Sequence, residues 1–352
     1  MIGYYVHHHG SGHRHRALAV ARHLGDQVTL LGSLGSLGSL GRGANLPAPY
    51  VELPRDDHPQ PRDDADVTAG GALHWAPLHH AGQQARASAL SRWLADSRAR
   101  VLVSDVSVEA VVMARLMSIP PVAVALRGDR LDRAHATGYD CAVRILAPWT
   151  RATQHEWPQR WLAKTTWTGM ISRFDGRLRD REPCAHPGLC VVLLLGSGGH
   201  GMTARHLDEA GAVPGVHWHV LGEVGCRVPP VSVFVAGTVS DPWRQLCSAD
   251  VVVAAAGDAA IADVAAARAP LVAVPQDRPF HEQVKHVRLL AAHGLCVSAA
   301  PWPARGEWPG LLASALARGG DRWAEVSDGL GAQRAAALLG DLAAPSRSSR
   351  VA

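Results

Sequence analysis

Residues His9-Gly10-Ser11-Gly12-His13 carry the side chain best suited to proton transfer in this chain. A histidine can take a proton from a hydroxyl near neutral pH. Gly10 and Gly12 let the backbone turn tightly around Ser11, and His13 then opens a helix expected over 13–24. His13 is the candidate general base, although the same spacing suits a polar helix cap. A second glycine turn, Gly196-Ser197-Gly198-Gly199, ends the uncharged run 189–195. Strand, glycine turn and helix together aim backbone N–H groups and a positive helix end at a phosphate. Gly198 and Gly199 are therefore candidates for holding an anionic ligand.

Three more polar clusters follow apolar strands in the second half. Thr238-Val239-Ser240-Asp241 opens one helix, and Ala256-Gly257-Asp258 opens another, with Asp263 five residues on. The third, 275–283, ends in Glu282-Gln283. All fall at the same edge of one sheet, where open α/β sheets bind ligands. No metal site is expected. Consecutive strand residues in His7-His8-His9 point to opposite faces. Asp64-Ala65-Asp66 sits in a Pro/Asp loop, which reads as solvated. The cysteines at 141, 184, 190, 226, 247 and 296 form no C-x-x-C pair. Neither a zinc site nor a disulfide framework is indicated, and reduced thiols are expected.

Buried strands alternate with helices through most of the 352 residues, and 47% of these are hydrophobic. That pattern predicts two parallel α/β sheets. Residues 1–168 form the first domain, and 169–188, rich in Arg, Asp, Gly and Pro, form a linker. Residues 189–318 form the second domain. A helix over 319–342 is expected to pack back across both, with a tail at 343–352. The repeat LGSLGSLGSLG at 31–41 suits neither helix nor strand and reads as a loop presenting leucines. A formal charge of +4 is small for this length, so nucleic acid is not an expected partner. No uncharged run reaches the ~18 residues of a membrane span. A cytoplasmic protein is expected, with acceptor or peripheral membrane-surface contact through the 31–75 region as a further expectation.

These motifs resemble the GT-B glycosyltransferases of family 28, the family of the enzyme that completes lipid II. Gly10-Ser11-Gly12-His13 with Ala17 to Ala21 is similar to its N-terminal turn and helix. Gly196-Ser197-Gly198-Gly199 is similar to the turn opening its donor domain. Ala249 to Val253, Gly257, Asp263 to Ala267 and Pro270 are similar to its donor signature. The resemblance implies a GT-B fold, two Rossmann-like domains facing a cleft. It implies His13 as general base and Asp263 on the donor ribose. Thr238 and Val239 would meet the base, and Glu282 and Gln283 the donor sugar. Two positions depart from the pattern. Ala256 replaces a common serine, and Asp258 puts a negative charge where a diphosphate is expected.

The reading is a glycosyltransferase of the hexosyltransferase type, moving a sugar from a nucleotide donor, UDP-linked, to a hydroxyl acceptor. The nucleotide sugar is a co-substrate, and no cofactor or metal is needed. Two alternatives fit the same features: a nucleotide-sugar 2-epimerase, and a catalytically silent nucleotide-sugar-binding partner.

Overall fold

Short runs of Val, Leu and Ile without charge form strands covered on both faces. The computed structural model describes the chain apart from residues 9, 34–45, 183, 185, 197, 198, 227 and 346–352. Gly198 and most of the LGS repeat thus lie outside the described residues. In chain order, the first half contains β1 (Ile2–Val6), α1 (Gly12–Leu24), β2 (Val28–Gly32), β3 (Tyr50–Glu52), α2 (Ala81–Asp96) and β4 (Val101–Asp105). It continues with α3 (Val108–Leu116), β5 (Pro121–Val124), α4 (Arg133–Cys141), β6 (Arg144–Ala147), α5 (Gln159–Leu162) and β7 (Thr165–Trp167). The second half contains β8 (Leu189–Leu194), α6 (Ala204–Gly211), β9 (Val216–Leu221), β10 (Val233–Gly237), α7 (Trp243–Ser248) and β11 (Val251–Ala254). After these come α8 (Asp258–Ala267), β12 (Leu271–Ala273), α9 (Glu282–Ala292), β13 (Val297–Ser298), α10 (Trp308–Arg318) and α11 (Gly331–Ala343).

The strands build two parallel sheets, ordered β3-β2-β1-β4-β5-β6-β7 and β10-β9-β8-β11-β12-β13. This is the doubly wound, two-domain α/β architecture that the alternating pattern predicts. Strand order reverses between β1 and β4 in one sheet and between β8 and β11 in the other. Chain crossovers diverge at such a point and leave a crevice beyond the strand ends. Val6, which ends β1, pairs with Asp105, which ends β4. The first crevice therefore opens beside His13 and Asp105.

Three stretches differ from expectation. Helix α4 has little apolar periodicity; Asp132 caps it by accepting from His135 N at 3.1 Å. The stretch 149–167, which shows no clear pattern in sequence, holds α5 and β7 around buried Trp149, Trp157 and Trp161. The single helix expected over 319–342 is broken. Asp321–Glu325 forms a 3₁₀ turn, Gly329 takes φ +77°, and α11 starts at Gly331. Its Ala332, Ala335, Ala336 and Leu339 pack into the core of the first sheet with Val20 and Leu24 of α1. The chain thus returns from the second sheet to the first. Among the described residues no helix is long and apolar enough to cross a membrane.

Candidate active site

His13 lies on the first turn of α1, directly after the β1 turn, where Gly10 takes φ +75°. Its Nδ1 is 2.8 Å from Asp105 Oδ1. Asp105 is fully buried, so its charge must be met inside the protein. Arg16, one helical turn after His13, donates Nε to Oδ2 at 3.0 Å and a terminal nitrogen to Oδ1 at 2.7 Å. Tyr4 adds its hydroxyl to Oδ2 at 3.3 Å. Burial works against the carboxylate, but Arg16 and His13 hold it well below the usual carboxylate range. A carboxylate only accepts, so Nδ1 is the protonated nitrogen of a neutral His13 ring. Nε2 is then left with its lone pair. His13 keeps 19% of its side chain exposed while Asp105 has none, which is how a base oriented by a buried acid is arranged.

The second sheet brings α8 against this group. A Cβ on Gly12 would lie 3.2 Å from that of Ala259, so the starts of α1 and α8 nearly touch. A cavity between the sheets is lined by Gly12, Arg16, Arg127, Trp149, Asp258 and His286. Arg127 stacks 4.1 Å from the Trp149 ring and donates to Thr153 O and Oγ1 at 2.6 and 3.0 Å. Burial lowers its pKa to about 10, which still leaves it cationic at neutral pH.

Gly257 caps α8 without a side-chain bond, and Asp258 is the first helical residue. Asp258 does not cap the helix. It sits 3.3 Å from His286 Nδ1 and 3.9 Å from an Arg16 nitrogen. Ala256, in place of a serine, is fully buried.

Asp263 does not line this cavity. It is 4% exposed, and both its oxygens are engaged by the linker. Ser172 Oγ donates to Oδ1 at 2.7 Å and Arg173 Nε to Oδ2 at 2.9 Å. The ribose role implied by resemblance needs a free carboxylate, and here it anchors the crossover between the sheets. Removing one partner of a buried pair costs about 3–5 kcal/mol. Asp263→Ala is therefore expected to lower the melting temperature by several degrees, with little change in nucleotide affinity at temperatures where it stays folded. A drop of tenfold or more in affinity at unchanged melting temperature would restore the ribose role.

The other positions divide. Glu282 Oε2 accepts from Arg130 at 2.6 Å, joining α9 to the first sheet's loops, and burial raises its pKa. Beside it, Asp129 N donates to Phe280 O at 2.7 Å, and Asp129 meets His281 and Lys285. Gly128 (φ +102°) permits this approach, because a Cβ there would lie 2.6 Å from Phe280 O. Gln283 is buried and accepts from Gln276 N at 2.9 Å. Thr238 is exposed and donates N and Oγ1 to Glu223, and Val239 packs on the second core. Gly199 takes φ +86°, and its carbonyl accepts from Arg278. The structure therefore gathers Gly12, His13, Gly257 and Asp258 at the cleft. Glu282 and Gln283 stand at its side, while Thr238 lies further out with Glu223.

Sequence reasoning gave Arg16, Arg127 and His286 no role. Arg16 had a signal, since it lies three residues after His13 on one helix face. Arg127 and His286 had none. A second cavity lies within the first domain, beside β4, lined by Ser104, Val108, Val111, Leu126, His135 and Tyr139. It is mainly apolar. Burial and the nearby Arg130 push the His135 pKa down to about 4, so its imidazole is neutral at pH 7.

No protein-family model and no curated protein matches the chain. Solved structures do. The glycotransferase of kitacinnamycin is similar with a TM-score of 0.70 and 17% identity, over 97% of this chain and 99% of that one. MurG of Acinetobacter baumannii gives 0.64 and 15%, over 97% and 99%. The spinosyn rhamnosyltransferase SpnG, complexed with thymidine diphosphate, gives 0.64 and 16%, over 97% and 96%. Two doubly wound sheets, crevices facing one another and end-to-end similarity to these proteins identify the fold as GT-B.

Proposed function

We propose that this protein is a glycosyltransferase that moves a sugar from a nucleoside-diphosphate donor to a hydroxyl acceptor. The observation that carries the reading is the His13–Asp105 pair at the strand-order reversal, facing the start of α8. The acceptor binds in the apolar cavity beside β4, with its hydroxyl at His13. Nε2 takes the hydroxyl proton as the acceptor oxygen bonds to the sugar's anomeric carbon. The bond from that carbon to the diphosphate oxygen breaks, and its electron pair leaves with the nucleoside diphosphate. Asp105 stabilises the imidazolium that forms. Arg16, Arg127 and the helix end at α8, worth about half a positive charge, favour the leaving anion. On this reading the transfer step uses no divalent metal and no cofactor. A uridine nucleotide is the donor expected from the resemblance, and SpnG was solved with a thymidine nucleotide. A thermal-shift screen of UDP- and dTDP-sugars tests the donor half of the proposal. Stabilisation by at least one nucleotide sugar is expected, and no shift across the panel would overturn it.

Asp258 opposes that anion. Unit charges 4 Å apart interact by about 4 kcal/mol at an effective dielectric of 20, and Arg16 and His286 offset part of this. Asp258→Asn should tighten nucleoside-diphosphate binding by about tenfold, or ~1.4 kcal/mol, measurable by calorimetry. Unchanged or weaker binding would place the diphosphate away from α8.

A further inference from the structure

Cys190 lies at the start of β8 and His219 in the middle of β9, the parallel neighbour. The register pairs Cys190 with His217 and Val192 with His219. Cys190, His217 and His219 therefore share one face of the sheet, while Trp218 points into the opposite core. The linker passes over this face just before entering β8. It brings the Cys184 sulfur within 4.8 Å of the Cys190 sulfur. It also stacks His186 on His217, with ring centroids 4.9 Å apart, and places it 5.7 Å from the His219 ring.

Donor atoms of Cys184, Cys190 and His219 lie within 4.8 Å of one another. Tetrahedral zinc, with bonds of about 2.3 Å to sulfur and about 2.0 Å to nitrogen, holds its donors about 3.5–3.8 Å apart, so the three side chains need to close by at most about 1 Å. His219 Nε2 is buried and meets no hydrogen-bond partner among the described residues. A buried imidazole nitrogen without a partner is costly unless something satisfies it. Asp250 is nearby, but its oxygens are engaged by Arg181 at 2.7 Å and Cys190 N at 2.9 Å.

We propose that Cys184, Cys190 and His219 bind one zinc-type cation, with the His186–His217 pair or water in the fourth position. Two sulfurs and an imidazole select a soft or borderline metal over magnesium or calcium. The ion ties the end of the linker to β8 and β9. It lies towards the strand starts, away from the cleft, and takes no part in sugar transfer. Spacing alone hides the site, because the cysteines are six residues apart and the histidine arrives only through strand pairing.

Cobalt(II) reports such a site, because thiolate ligation gives a near-ultraviolet charge-transfer band. Titration of the reduced full-length protein should give that band with one cobalt per chain, and zinc should displace it. Cys184→Ser and His219→Ala should each weaken binding by tenfold or more. Cys247→Ser, on the buried face of α7, should leave it unchanged. Circular dichroism of the metal-free variants separates lost ligation from lost folding. Absence of the band in folded wild-type protein would overturn the proposal. So would a band that survives in both ligand variants.

Discussion

His13→Ala should lower turnover by ~10²–10⁴-fold, the usual worth of a general base. Donor affinity should stay within about twofold, because His13 is not among the groups proposed to meet the diphosphate, which are Arg16, Arg127 and the start of α8. The fold should survive. Asp105 keeps both Arg16 bonds and the Tyr4 hydroxyl when the imidazole is removed. The lost bond is a charged one, worth ~1.5–3 kcal/mol at most. Steady-state rates, donor calorimetry and melting temperature on one preparation distinguish the roles. A base costs turnover, a donor ligand costs affinity and a structural cap costs stability. A stable variant within a few-fold of wild-type turnover would remove His13 from the chemistry.

Asp105→Asn should be at least as damaging, and for two separable reasons. Asn is nearly isosteric but neutral, so the buried Arg16 guanidinium loses its counter-charge. Breaking a buried pair on one side costs about 3–5 kcal/mol. Asn can also offer its NH₂ to His13, which favours the tautomer with the proton on Nε2 and removes the base. Turnover should therefore fall by ~10²-fold or more even where the variant is folded. The pH dependence of stability has a definite sign. The Asp105 carboxyl is held below its unfolded value of about 3.9. Its contribution is then full above that value and is lost as pH falls through the lower, folded value. The gap in melting temperature between wild type and Asp105→Asn should narrow as pH falls from 5 towards 3. A gap independent of pH down to 3 would contradict the buried charge. Wild-type turnover in a folded variant would show that Asp105 does not position His13.

Much of this arrangement was legible in the residues. Uncharged Val and Leu runs separated by glycine turns can hardly be anything but buried parallel strands. Those turns placed His13 at the start of a helix at the sheet edge. Asp105 was legible as a strand end at the same edge, but not as the partner of His13. Their contact depends on β1 pairing with β4 across 92 residues. Asp263 was legible as the acidic position of a donor signature. Its burial was not, because Ser172 and Arg173 come from a linker without apolar periodicity. Helix α4 was harder to read, since the face it buries is made of Ala134, His135, Gly138 and Tyr139 rather than of large aliphatic residues. The Cys184–Cys190–His219 cluster needed parallel register to exist at all.

The most direct measurement follows the sugar. Wild-type protein and His13→Ala would be given a nucleotide sugar labelled in its hexose, with and without a hydroxyl aglycone, after EDTA treatment. Direct transfer gives label in the acceptor and nucleoside diphosphate released in equal amounts, both dependent on acceptor and both lost in the variant. If the label stays in the donor and the sugar is isomerised without acceptor, or if turnover appears only when magnesium or manganese is restored, the account is contradicted.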